Sequence, residues 1–232
     1  MFSVAITTYN RPEMTTRAIK SVINDPLCAD MIVVDDHSTS ANVIKLINSI
    51  AASLEGKRLV TFIENPENIG MSRNKNKAIF LSKCEKVLIL DSDNYLLDGF
   101  LAKAAGFVHM KDTILMPEKA MPEFNYADFA SRIIDKHTIK EFLYNPIFQV
   151  MLNTCNYIVP RELYHKVYQH NPEIKETDTL WFNYLWLKAG YKFFIVPGME
   201  YIHEIHEGSG WLQNADYNLK KSDEIIELIN QL

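Results

Sequence analysis

Short uninterrupted apolar runs alternate with longer stretches whose apolar residues recur at helical spacing. Phe2 to Thr8 reads as a strand. Pro12 to Asn24 reads as a helix, since Pro12 suits a first turn and Ala18, Ile19, Val22 and Ile23 share a face. Met31 to Val34 is predicted as a second strand and Leu59 to Ile63 as a third. Between them, Asn42 to Leu54 reads as a helix with Val43, Leu46, Ile47 and Ile50 at the right spacing. Ser72 to Ser82 reads as a helix, and Val87 to Leu90 as a fourth strand buried on both faces.

Beyond residue 110 the pattern is less regular. Thr113 to Met116, Asn156 to Val159 and Lys192 to Val196 read as strands. Glu118 to Val150 is rich in aromatics and proline, with Thr138-Ile139-Lys140-Glu141 spaced as a capping box for a short helix. Arg161 to Tyr168 and Asp178 to Ala189 read as helices, the second stopped by Gly190. Ile225, Leu228, Ile229 and Leu232 form one apolar face of a packing helix.

Strand–helix alternation predicts an α/β chain with right-handed crossovers and a mainly parallel sheet. Ligands of such sheets lie beyond the carboxyl ends of the strands. The four strand ends are all polar: Thr7-Thr8-Tyr9-Asn10-Arg11, Asp35-Asp36-His37-Ser38, Glu64 through Asn68 to Gly70, and Asp91-Ser92-Asp93-Asn94. They could converge on one crevice.

Composition narrows what that crevice serves. The chain has 232 residues, 47% hydrophobic and 23% charged, with a net charge of -5. No basic block marks a nucleic-acid partner. Cys28, Cys84 and Cys155 are far apart and form no CxxC, so reduced buried thiols are expected. The start lacks a basic n-region and no apolar run reaches membrane-spanning length, from which a cytoplasmic location is expected. GxGxxG and GxxxxGK[ST] are both absent. Asp91 and Asp93, at the end of a buried strand, repel each other unless something cationic joins them. Two carboxylates there can hold a hard divalent cation, which would neutralise a diphosphate. The competing reading is a pair of solvated turn aspartates.

The segments VAITTYNR, IVVDDHS, ENPENIG and LILDSDN, in this order and spacing, resemble the nucleotide-binding half of GT-A glycosyltransferases, especially family 2. The resemblance implies the GT-A fold, a mainly parallel sheet flanked by helices in one compact unit. A donor lobe would span 1–110 and an acceptor lobe 111–232. It implies a nucleotide-sugar donor, usually a UDP-sugar, and Mn2+ or Mg2+. Thr7 and Tyr9 would contact the base, Tyr9 by stacking; Asp36 would bond the base or ribose; Asp91 and Asp93 would bind metal and ribose. Thr8, Arg11, Asp35, Asn68, Gly70 and Ser92 complete the donor-binding set. The family places an arginine in the helix after the Asn-x-Gly turn; here Arg73 comes early and Lys75 sits nearer that place.

In the second half, CNYIVPRELYHKV resembles the segment that lines the acceptor side, and KETDTLWFNYLWLKAGYKF the acidic stretch that supplies the catalytic base. Glu176-Thr177-Asp178 replaces the usual adjacent Glu-Asp, with Asp178 the first candidate base and Glu176 the second. Asp178 could instead merely favour the helix dipole, worth about 0.5 kcal/mol. YIHEIHEGSGW is not HExxH, since His203 and His206 are too close. Many GT-A enzymes place a late histidine on the metal or diphosphate beside a mobile loop, so His206, then His203, are candidate ligands and Gly208 to Trp211 a lid. Trp181 and Trp186 are expected in the core.

The implied activity is metal-dependent transfer of a sugar to a hydroxyl of a saccharide, lipid-linked or protein acceptor, with inversion. Three rivals stand beside it. A haloacid-dehalogenase-type phosphatase would carry its DxD on the first strand, and Tyr95 stands where Thr or Val is usual. A nucleotidyltransferase would open with a glycine-rich loop, which TTYNRPEM lacks. The third is a non-catalytic sugar-nucleotide binder.

Overall fold

The computed structural model describes residues 1–39, 45, 48–49, 52 and 60–232. Strands are β1 (Phe2–Thr8), β2 (Cys28–Asp35), β3 (Val60–Glu64), β4 (Lys86–Asp91), β5 (Tyr95–Leu96), β6 (Thr113–Met121), β7 (Phe124–Asn125), β8 (Ile133–Ile134), β9 (Ile158–Pro160) and β10 (Lys192–Ile202). Helices are α1 (Pro12–Val22), α2 (Met71–Leu81), α3 (Phe100–Ala105), α4 (Pro146–Asn153), α5 (Arg161–Val167), α6 (Asp178–Lys188), α7 (Gly210–Gln213) and α8 (Ala215–Asn230). The helix expected over Asn42 to Leu54 falls, apart from four isolated positions, outside the described residues.

One sheet runs in the order β3-β2-β1-β4-β9-β6-β10-β5. β3, β2, β1 and β4 are mutually parallel, and β6 pairs in parallel with β10. β9 is antiparallel to both β4 and β6, so it joins the two parallel sets. The mainly parallel sheet expected from the alternation is therefore present. β1, β2 and β4 are buried almost throughout, which is why they read as continuous apolar runs rather than alternating ones.

Two strands extend beyond their expected ends. The sequence pattern predicts that β6 stops at Met116 and β10 at Val196. The ladder instead carries Pro117 opposite Val196, shifts register, and resumes at Glu200. Gly198, at φ 73, absorbs the irregularity. Asn156, expected to begin a strand, has φ 68, and the strand starts at Ile158. The capping box at Thr138 does not form. Its hydroxyl bonds Asp135 rather than the helix, and only a single 3-10 turn follows at Ile139–Glu141. On α8 the buried face centres on Ile225 and Ile229, while Leu228 is 36% exposed.

Two helices position the site. α2 places Asn74, Lys75, Ala78 and Ile79 on its buried side. That inward stripe is apolar at its far end and polar one turn earlier, at the strand carboxyl ends. α6 is buried on nearly every side, from Asp178 to Leu187, and packs against α4, α5 and α8. Trp186 is fully buried within it, whereas Trp181 is partly exposed and donates its indole N–H to the Gln169 carbonyl at 3.1 Å. Cys155 is a free, buried thiol and Cys84 a free, half-buried one, while Cys28 is buried with its Sγ 3.7 Å from the Asp30 carbonyl.

Candidate active site

The polar ends of β1 to β4 meet as the register requires, with Thr7 opposite both Val34 and Asp91. Thr8 is buried and shares a 2.6 Å hydrogen bond with Thr15. Tyr9 stands exposed on the rim, followed by Asn10 at φ 52. Arg11 turns inward. Its guanidinium forms an ion pair with Asp93 and donates to the Gly208 carbonyl at 3.0 Å.

The two aspartates at the end of β2 are engaged by nearby backbone and side-chain donors. Asp35 accepts from the Ser38 N–H at 2.8 Å and from the Ser38 hydroxyl. Asp36 is 4% exposed and accepts three hydrogen bonds, from the Ile69 N–H at 2.8 Å, the Gly70 N–H at 2.9 Å and the Asn65 amide at 2.9 Å. Asn65 continues inward to Asn74, which donates to the Val34 carbonyl at 3.1 Å. Lys77 donates to Asn65 from the other side. Asn68 supplies a second acceptor for the Gly70 N–H, at 3.2 Å. Gly70 has φ 85 and leads directly into α2, a conformation that strains any side-chain-bearing residue. Asp36 thus pins the loop that launches α2.

The DSD turn divides its two carboxylates. Ser92 between them is buried, and the turn closes through an Asn94 N–H to Asp91 carbonyl bond of 3.0 Å. Asp93 faces Arg11 and His206, whose Nε2 lies 3.2 Å away. Asp91 faces Lys75, with Nζ 3.4 Å from Oδ1, and its own N–H donates to Asn156 at 2.9 Å. Burial pushes the Asp91 carboxyl up; Lys75 pulls against that shift, and Asp93 and Asp178 add to it.

Lys75 also reaches α6. Its Nζ is 3.3 Å from one Asp178 oxygen, 3.4 Å from the other, and 3.5 Å from the Thr179 hydroxyl. Burial alone would pull the ammonium down, but Asp178 and Asp91 outweigh it and hold Lys75 well above its ordinary value. Asp178 lines a pocket together with Tyr164, Tyr168, Trp181 and Phe182. Arg73 points out to solvent.

The remaining acidic and histidine candidates lie in different places. Glu176 accepts from Asn214 at 3.2 Å and sits against Gly210, while its Oε2 is buried and has no partner among the described residues. His203 does not join Asp93; its ring packs on Phe124 at 5.6 Å, and its Nδ1 is buried and has no partner among the described residues. Helical spacing alone would have turned Asn74 and Lys75 inward, since they lie one turn before Ala78 and Ile79. Asn156 and Asn214 carried no comparable signal.

Among the described residues no group of three or more His, Cys, Asp or Glu side chains is placed to hold a metal. Asp93 and His206 nevertheless fit one as a pair. Their 3.2 Å separation is that of two neighbouring ligands about a small divalent ion. Such ions commonly take one or two protein ligands and complete their shell with phosphate oxygens and water.

The model of the family described as "Glycosyl transferase family 2" matches residues 3–149. The poly(ribitol-phosphate) beta-N-acetylglucosaminyltransferase TarP of Staphylococcus aureus (strain N315) is 35% identical over 102 residues, 40% of this chain and 28% of TarP. The chain spans between 28% and 35% of the length of the curated relatives it matches. Among solved structures, S. aureus TarS 1–349 in complex with UDP-GlcNAc superposes with a TM-score of 0.72 at 19% identity, over 98% of this chain and 66% of TarS 1–349. The Pyrobaculum calidifontis mannosyltransferase PcManGT, in complex with GDP-Man and Mn2+, gives 0.70 at 14% identity, over 98% and 68%. The architecture is that of the GT-A glycosyltransferases. With more than half of its residues matched by the family model, the chain belongs to glycosyl transferase family 2.

Proposed function

We propose that this chain is a metal-dependent glycosyltransferase that moves a sugar from a nucleotide-diphosphate sugar, a UDP-sugar first, to an acceptor hydroxyl with inversion. The observation that carries this reading is the meeting of the DSD turn and Asp178 across Lys75 in one crevice. Solved neighbours in complex with UDP-GlcNAc and with GDP-Man and Mn2+ support the donor class.

In this reading residues 1–110 hold the donor and residues 111–232 the acceptor. Tyr9, exposed on the rim, offers its ring to the base, and Thr7 borders it. Asp93 and His206 would hold the ion, which supplies positive charge for the departing diphosphate. A mixed carboxylate–imidazole pair suits Mn2+ at least as well as the oxygen-preferring Mg2+. Arg11, already at this place, carries a second positive charge for the same oxygens. As the acceptor oxygen bonds to the anomeric carbon, the carbon–oxygen bond to the diphosphate breaks and its electron pair leaves with the phosphate. Asp178 takes the acceptor's proton. Asp36, committed to backbone N–H groups, shapes the base-side loop instead of bonding the ligand.

The test is calorimetry with UDP, GDP, CMP and their sugars, each with Mn2+, Mg2+ or EDTA. A ligand at a hundred times its Kd stabilises the fold by about 2.7 kcal/mol, an effect that thermal melts also report. Binding of one nucleotide that EDTA abolishes is the expected result. No binding of any nucleotide in the presence of metal would refute the proposal.

A further inference from the structure

Resting on the transferase reading, we infer that Lys75 is a positioning residue that fixes the Asp178 base relative to the donor-side carboxylate Asp91. Lys75 is 5% exposed, and the acceptors of its ammonium lie in a narrow band: Asp91 at 3.4 Å, the two Asp178 oxygens at 3.3 and 3.4 Å, and Thr179 at 3.5 Å. It sits centrally among them instead of closing on one. Among the described residues, Lys75 is the only hydrogen-bonding partner of the Asp178 carboxylate. Thr177, at the start of α6, makes no side-chain cap.

The other end of the link is rigid. Asp91 is held by the β4 register and by Asn156, and the Lys75 stem leaves α2 one turn before the buried Ala78 and Ile79. Lys75 therefore ties β4 to α6, the donor-side strand to the helix that carries the base. Without it two carboxylates would face each other in a largely dry place, and Asp178 would turn away. A base displaced by about 1 Å costs on the order of 100-fold in rate.

The experiment compares Lys75→Gln and Lys75→Arg with the wild type in steady-state transfer, alongside a thermal-melt cycle of Lys75→Gln, Asp178→Asn and the double variant. The expected result is a kcat lowered roughly 100-fold in Lys75→Gln with donor KM within about 3-fold. Lys75→Arg, which keeps the charge, should recover to within about 10-fold of wild type. In the melts, the double variant should lose less Tm than the two single losses added together. Unchanged kcat in Lys75→Gln, or a loss confined to donor KM, would overturn the inference. Additive Tm losses would also overturn it, and they are readable even if Lys75→Gln is too unstable to assay. Absence of transfer in the wild type itself would strike instead at the transferase reading, leaving the cycle to decide whether Lys75 and Asp178 are linked.

Discussion

Replacing Asp36 by alanine would remove the acceptor of three hydrogen bonds at once, those from Ile69, Gly70 and Asn65. Each hydrogen bond to a charged acceptor contributes about 1.5–3 kcal/mol, and a buried donor left without a partner costs about 1–3 kcal/mol. The three bonds share one carboxylate, so their losses do not add, and removing the charge returns part of its desolvation cost. The expected loss is about 3–5 kcal/mol, a large share of the roughly 5–15 kcal/mol that holds a typical domain. Asp36→Asn should fare little better, because its NH2 must face either a backbone N–H or the Asn65 amide. Urea unfolding followed by far-ultraviolet circular dichroism measures the loss, and nucleotide calorimetry on the same samples measures the site. A loss under about 1 kcal/mol would refute the pinning role. Full stability with nucleotide binding abolished would return Asp36 to direct contact with the base or ribose, as the family resemblance implies.

Asp178→Asn should bind donor and metal as the wild type does but lose transfer by about 100- to 10,000-fold in a product assay; wild-type turnover would remove it as the base. Arg11→Ala should free Asp93 and tighten Mn2+ binding to the protein alone several-fold by electron paramagnetic resonance, whereas weaker binding would show that Arg11 does not compete for that carboxylate. Burial pulls Lys86 down from 10.5 to about 8. Its neutral form is favoured in the fold, so its contribution to stability is complete above about 10.5 and is lost as pH falls through 8. The urea midpoint of the wild type should therefore rise relative to Lys86→Met between pH 8 and 10.5, and a constant gap would contradict the shift.

The parallel half of the sheet was legible because β1, β2 and β4 are buried on both faces, so their sequences are apolar without alternation. What the sequence hid was continuation across punctuation. Pro117 and Pro197-Gly198 have the local character of strand ends, yet pairing between β6 and β10 carries through them. At the site, the DSD pair announced itself by its position at the end of a buried strand. The separate destinations of its two carboxylates did not, because their partners come from Lys75, Arg11 and His206, far away in the chain. Asp36 illustrates the same limit. Its motif suggests a ligand contact, while its three hydrogen bonds depend on a loop whose path only the folded chain reveals. His203 and His206 looked nearly equivalent in sequence, and the end of β10 sends one to the aromatic cluster and the other to Asp93.

β9 has a consequence for how the chain is made. It is the antiparallel strand that separates β4 from β6, so the edge of β4 away from β1, and the edge of β6 that faces β9, stay unpaired until residues 158–160 have left the ribosome. A nascent chain that ends short of β9 carries β4 with one edge bare and β6 without β9 or β10. Such edges are templates for pairing with other chains. Closure by a late strand of high sequence separation is slow, and the slow interval is the one exposed to aggregation. Chains paused before residue 158 should therefore aggregate more, in a pelleting assay, than chains paused after residue 202, and equal pelleting would contradict this.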